Sequence, residues 1–210
     1  MHRSLLLVVL LATGCASSSP GNGASMSPPT QSTPMPPAAA TPPQPAPGHL
    51  ELNLRSVDFA NGGQVPERIT CEGDDSSPHL AWSGAPDGTR SFVLIVDDPD
   101  APDPANPRMT WVHWVLYDIP ATADELAAGV SPAALPPGTR EGRNDWKRTG
   151  FGGPCPPIGR HRYFHKLYAL DTTLGDLGKP TKAEVERAMQ GHVLARAELV
   201  GTYQKPGRSR

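Results

Sequence analysis

Sixteen prolines are scattered through residues 49–210. Each one removes a backbone donor and is barred from the interior of a helix or a central strand. A helical bundle is therefore a poor solution for this stretch, and short strands joined by long loops are a good one. The other ten of the 26 prolines fall within residues 16–48, which carry no charged residue at all. That Pro/Ser/Ala-rich stretch cannot bury enough apolar surface to offset the entropy of ordering. The chain thus reads as a tether followed by one domain of ordinary size. The glycines have no period of three, which excludes collagen. After the N-terminus no apolar run reaches the roughly 18–20 residues a spanning helix needs.

The first residues read as an address. His2 and Arg3 are followed by an unbroken apolar run of seven, Leu5–Leu11, and then by Ala12-Thr13-Gly14-Cys15. This is the layout of a secretory signal, and small residues directly before a cysteine resemble the bacterial lipobox. The resemblance implies a signal peptide over 1–14, diacylglyceryl attachment and amine acylation at Cys15, and a membrane-anchored lipoprotein facing the periplasm or the cell exterior. Two or more acyl chains suffice for stable anchoring. Residues 15–48 would be the lipidated cysteine and a spacer, 49–205 the domain, and 206–210 a basic tail. Of three cysteines, lipidation of Cys15 leaves Cys71 and Cys155. In an oxidising compartment this even pair is expected to bridge; the alternative is two buried thiols.

The charge is balanced, with 19 basic residues against 21 acidic. No basic run of the kind phosphate-backbone binding requires is present, so nucleic acid is not an expected partner. Alternation dominates the domain. His49–Asp58 puts Leu50, Leu52 and Leu54 on one face. Ser91–Val96 is a continuous apolar run, as in a strand covered on both sides. Thr110–Ile119, His161–Leu170 and Ala195–Tyr203 complete a set of strands. Two helices are expected. One starts at the capping box Thr181–Glu184 and carries Val185, Met189 and Val193 at a spacing of four. A shorter one is expected over Thr122–Ala128. The fold class is mainly β, an antiparallel sandwich of Greek-key type with a few peripheral helices.

Three segments hold more chemistry than loops need. Asp97-Asp98-Pro99-Asp100-Ala101-Pro102 sets three carboxylates together, where a turn needs one. Trp111-Val112-His113-Trp114 places a histidine within an apolar strand; alternation sends Trp111 and His113 to one face and Val112 and Trp114 to the other. Gly152–Tyr163 is a Gly/Pro loop delivering His161 and Tyr163 to a common face. Duller readings exist for each: Asp98 as a turn residue bonding its own backbone, His113 as a core histidine, His161 and Tyr163 as a strand pair. His79, His165 and His192 read as structural.

The order and spacing of these segments resemble the phosphatidylethanolamine-binding protein family, also called Raf kinase inhibitor-like, in its bacterial form. Asp98–Pro102 matches its D-P-D-A-P element, Trp111–His113 its W-x-H element and Gly159–Tyr163 its G-x-H-R-Y element. The similarity covers roughly Leu50 to Tyr203. It implies a β-sandwich with a small surface pocket for phosphate-type or carboxylate anions or a phospholipid headgroup, formed by Asp98, His113, Gly153, His161 and Tyr163. Independently of the family, imidazole and phenol donors suit phosphate oxygens, and histidines beside an anion should have raised pKa values. Asp98 cannot face an anion bare, so it is expected to hold a histidine or a hydroxyl, or to accept from a ligand ammonium.

The function expected is therefore a non-catalytic binding protein. The alternatives are a hydrolase or other enzyme using the same Asp and His, and a kinase or protease inhibitor. Against catalysis, no G-x-S-x-G elbow occurs and no serine neighbours the histidines; Cys155 would serve only if unpaired. No metal or other cofactor is implied, since no C-x-x-C spacing exists.

Overall fold

The computed structural model describes residues 51–207; the signal-like segment, Cys15, the whole tether and most of the basic tail expected over 206–210 lie outside them. Two antiparallel sheets face each other. One has β1 (Asn53–Arg55), β2 (Leu80–Ser83) and β5 (Glu125–Leu126), in the order β1-β2-β5. The other has β3 (Ser91–Asp98), β4 (Trp111–Pro120), β6 (Arg140–Glu141), β7 (His161–Leu170) and β8 (Val193–Tyr203), in the order β6-β4-β3-β7-β8. The mainly β, two-sheet reading of the sequence holds.

Burial explains the strand order. Every residue of β3 is buried, so the continuous apolar run belongs at the centre, between β4 and β7. Its inner side chains, Phe92, Leu94 and Val96, meet Leu54, Leu80 and Trp82 of the small sheet. Its outer ones, Val93 and Ile95, are covered with Val115 and Tyr117 by α1 (Lys182–Ala188), through Val185 and Met189. Each such side chain contributes roughly 1.5–3 kcal/mol on burial. Along β7 the inward set is His161, Tyr163, His165, Leu167 and Ala169, as alternation requires. On β8, Gly201 lies so close to Val65 and Phe59 that a Cβ would collide.

Three expectations are corrected. Of the strand expected over 49–58, His49 and Leu50 lie outside the described residues; among the described ones only Asn53–Arg55 is strand, with Leu52 and Leu54 buried as read. Residues 122–128 form no helix. Pro120 and the positive-φ Gly129 leave too few residues for a stable helix; Leu126 enters the core as β5, and Trp82 donates to the Asp124 carbonyl. The capping box at Thr181 is present in full, but α1 ends at Ala188. Gly191, at φ 79°, turns the chain back, so Val193 starts β8 and is exposed.

Candidate functional site

The three neighbouring carboxylates are tolerated because each takes a different cation. Asp97 is fully buried and accepts from Lys166 Nζ at 2.7 Å and Lys182 Nζ at 2.5 Å. Asp98 turns to the other face, where its Oδ2 lies 2.7 Å from His161 Nδ1 and its Oδ1 accepts from the Asp100 amide. Asp100 receives a bidentate fork from Arg162, plus the Arg162 amide. The Arg162 bond, above all, holds the Asp100 carboxyl below its usual range, against the opposing pull of burial. Arg162 thus points away from His161, as alternation requires.

His161 is buried, and both its ring nitrogens face acceptors: Asp98 Oδ2 on one side and the Ile158 carbonyl, 3.0 Å from Nε2, on the other. A ring between two acceptors is best satisfied as an imidazolium. Burial alone would push its pKa down, but the Asp98 carboxylate and the Ile158 carbonyl overcome that and leave it raised.

His113 enters the site through a register irregularity. Val96 pairs with Trp114 but Asp97 pairs with Val112, so β4 spends one more residue than β3 here. His113 is the extra residue of a β-bulge. As a result Val112 packs in the outer cluster and Trp114 in the inner core. His113 packs edge-on to Tyr163, with ring centroids 5.2 Å apart. The expected sharing of a face by Val112 and Trp114 is therefore wrong, because the bulge breaks the alternation. Gly152 clasps His113 twice: its N–H donates to the His113 carbonyl, and its carbonyl accepts from Nδ1 at 2.6 Å. His113 Nε2 is buried without a partner. Burial lowers the His113 pKa, and the Gly152 bond and the Asp98 charge only partly offset it. Of the two histidines expected to be raised, only His161 is.

Asp98, His113 and His161 share the lining of one open cleft of about 410 Å³. Its walls are apolar: Trp111, Trp146 and Met109 on one side, and Pro102, Pro156 and Pro157 on another. Trp146 packs edge-on against both Trp111 and His113 and is 40% exposed. The sequence reading missed Trp146 and Met109; a tryptophan in the polar stretch Asn144–Arg148 was the available signal. Cys155 lines the same cleft and is bridged to Cys71, with Cα atoms 5.4 Å apart. The bridge replaces the alternative of two thiols.

Two expected site residues stand back from the cleft. Tyr163 is buried behind the histidines, its hydroxyl without a partner, beside a void of about 10 Å³ that it shares with His113 and His165. The Gly153 amide is taken by Asp75 Oδ1 at 2.5 Å, and a Cβ there would collide with the Ile69 carbonyl. His79 and His192 pair with Glu125 and Asp171. His165 packs against Phe59. A larger hollow, about 520 Å³, lies beyond β4 between α1 and residues 143–147. Its lysines are already paired, Lys182 with Asp97 and Glu186, and Lys147 with Asp145. Nothing buried and unpartnered lines it, which makes it a solvated groove. Among the described residues, no three His, Cys, Asp or Glu are grouped closely enough to hold a metal ion.

This geometry can be set beside known proteins. A UPF0098 protein of Methanothermobacter thermautotrophicus is 44% identical over 155 residues, covering 73% of this chain and 99% of that one. The crystal structure of a Chlamydia trachomatis homologue of phosphatidylethanolamine-binding proteins superposes with a TM-score of 0.68 at 37% identity, covering 74% of this chain and 99% of its own. E. coli YbcL, described as a member of the mammalian family, gives 0.67 at 36% identity, with 74% and 99% covered. The family model for phosphatidylethanolamine-binding proteins matches residues 55–204. The cleft between the Asp98 turn, the His113 bulge and the His161 strand therefore stands in a chain that belongs to the phosphatidylethanolamine-binding protein family.

Proposed function

We propose that this is a non-catalytic binding protein whose cleft takes a phosphate-type ligand or a phospholipid headgroup. The observation that carries the reading is the floor of the cleft. A buried Asp98–His161 ion pair and an unpartnered His113 nitrogen converge beneath apolar walls. A preformed concave site with few, convergent polar groups is how small polar ligands are held. A zwitterionic headgroup matches a floor that carries one cation and one anion. Against a nucleophilic enzyme, the cleft is lined by no serine or threonine, and Cys155 is tied up in the disulfide.

On this reading Cys15 carries the lipid, the proline-rich stretch is a spacer, and the domain works outside the cytoplasmic membrane. Mass spectrometry of the N-terminal peptide should show acylation at Cys15, and Cys15→Ala should release the chain from membranes. The binding reading itself is tested by titrating phosphoethanolamine while following the His113 and His161 ring protons by NMR. Both should shift. Unmoved signals and an unchanged melting temperature at millimolar ligand would overturn it.

A further inference from the structure

The His113 ring can be assigned a tautomer from its neighbours. The Gly152 carbonyl can only accept, and it lies 2.6 Å from Nδ1, so Nδ1 carries the hydrogen. In the neutral ring Nε2 is then a lone pair, buried and without a partner. We infer that the cleft selects ligands bringing a donor hydrogen to His113 Nε2, either an oxyacid group that retains a proton or a headgroup ammonium, and rejects fully ionised oxyanions such as sulfate. This rests on the binding reading above and sharpens it.

The surroundings keep the ring in that form. From β3, Asp98 and Asp97 act on it, and Asp75 acts from the loop beneath Gly153. From β7 it faces Tyr163, whose ring is 5.2 Å away, while His161 borders the same cleft and His165 the void behind. Trp146 closes the side, at 5.1 Å between centroids. These aspartates favour a charged His113, but burial outweighs them. Asp98, the carboxylate that acts on it most, is moreover already paired with His161.

The monoanion of a phosphate monoester carries one P–O–H and can turn it towards Nε2. Sulfate can offer only lone pairs to a lone pair, and its contact would leave a buried acceptor unmet. Sites built to hydrogen-bond a ligand hydrogen reject analogues that lack it. A phosphate monoester loses its second proton at about pH 6, so the discrimination is itself pH-dependent.

The test is calorimetric titration of the purified chain with methyl phosphate, a monoester that bears no ammonium, and with sulfate at pH 5.5 and pH 8.5. Methyl phosphate should bind at least about tenfold more tightly than sulfate at pH 5.5. Its affinity should fall by about tenfold per pH unit above its second pKa. In two buffers of different ionisation heat, methyl phosphate binding at pH 8.5 should take up one proton, because the monoester dianion has no P–O–H of its own. Glycerophosphoethanolamine, a diester with an ammonium and no P–O–H, separates the two donors. If it binds equally at both pH values while sulfate does not, the ammonium is the donor; if it binds no better than sulfate, the phosphate hydroxyl is. Nitrogen-15 shifts should show His113 Nε2 unprotonated in the free protein. Sulfate binding as tightly as methyl phosphate at pH 5.5, or a protonated Nε2 in the free protein, overturns the inference and leaves the pocket standing. Failure of all three ligands to bind overturns the pocket reading as well. His113→Phe keeps a ring and removes the lone pair, and should erase the preference. The wild-type comparison decides the matter if that variant does not fold.

Discussion

Asp98 and His161 form a buried pair, Oδ2 to Nδ1 at 2.7 Å, and the far nitrogen of His161 is capped by the Ile158 carbonyl. The ring is thereby held as a cation within the protein. Asp98→Asn should move the His161 midpoint down, because the charge that outweighs burial is gone while the Asn oxygen can still cap Asp100. Breaking such a pair from one side costs about 3 kcal/mol. The sign of the pH dependence follows from the raised pKa of His161. Its contribution is complete below the unfolded value of about 6.5 and is lost as pH rises through the folded value. NMR titration of the ring and urea denaturation across pH 6–9 measure both; an unchanged midpoint in Asp98→Asn would refute the pairing.

His165 works in the opposite direction. Burial, above all, pushes its pKa down to about 4. The unfolded chain therefore binds a proton that the folded chain refuses. Its contribution to stability is present above about 6.5 and is lost as pH falls towards 4, at about 1.4 kcal/mol per pH unit. His113, also lowered, adds to the same trend. Urea denaturation at pH 7, 5.5 and 4.5 should show the loss, and His165→Leu should flatten it. Equal slopes in the two proteins would exclude His165 as the source.

The Cys71–Cys155 bridge spans 84 residues. The chain-entropy model gives about 4–5 kcal/mol for a loop of that size. Reduction, or Cys71→Ser, should lower the melting temperature and loosen the Pro156–Pro157 wall that Cys155 anchors, weakening phosphoethanolamine binding by more than loss of a remote staple would. A melting curve and a titration under reducing and non-reducing conditions give both numbers. Unaltered affinity after reduction would show that the wall holds itself.

Asp97 sits between two lysines and has no exposure. Asp97→Ala should cost about 3 kcal/mol, since two half-buried ammonium groups lose their shared partner. Lys166→Met or Lys182→Met alone should cost less, about 1 kcal/mol, because the carboxylate keeps the other cation. Denaturation of the three variants tests this non-additivity; lysine losses that sum to the Asp97→Ala loss would mean that the lysines act independently.

The legible part of the fold was what local pattern controls. The unbroken run Ser91–Val96 announced a strand covered on both faces, and the alternation of His161–Leu170 put His161 and Tyr163 inward. The capping box marked the start of α1 to the residue. Residues 122–128 misled because their helix propensity was overridden by pairing of Glu125–Leu126 with β2. The direction of His113 could not be read, because a bulge is a property of two strands in register and not of one segment. Trp146 escaped because its loop is placed from a distance, by Asp145 Oδ2 accepting from the Val112 amide and Asp145 N–H donating to the Val112 carbonyl. The three carboxylates looked mutually repulsive because their cations lie 62 to 85 residues away in the chain.

The bulge in β4 has a consequence for how such a cleft could arise or be lost. With Trp114 and Leu116 fixed in the core, a regular strand would point His113 outward, beneath α1, and bring Val112 in. The floor would keep the Asp98–His161 pair but lose the His113 nitrogen, and the sandwich would remain. One residue of slack between two strands decides whether the His113 nitrogen reaches the cleft. Deleting His113 itself would restore the register, and is therefore the smallest genetic step that takes this nitrogen out of the cleft without abolishing the fold.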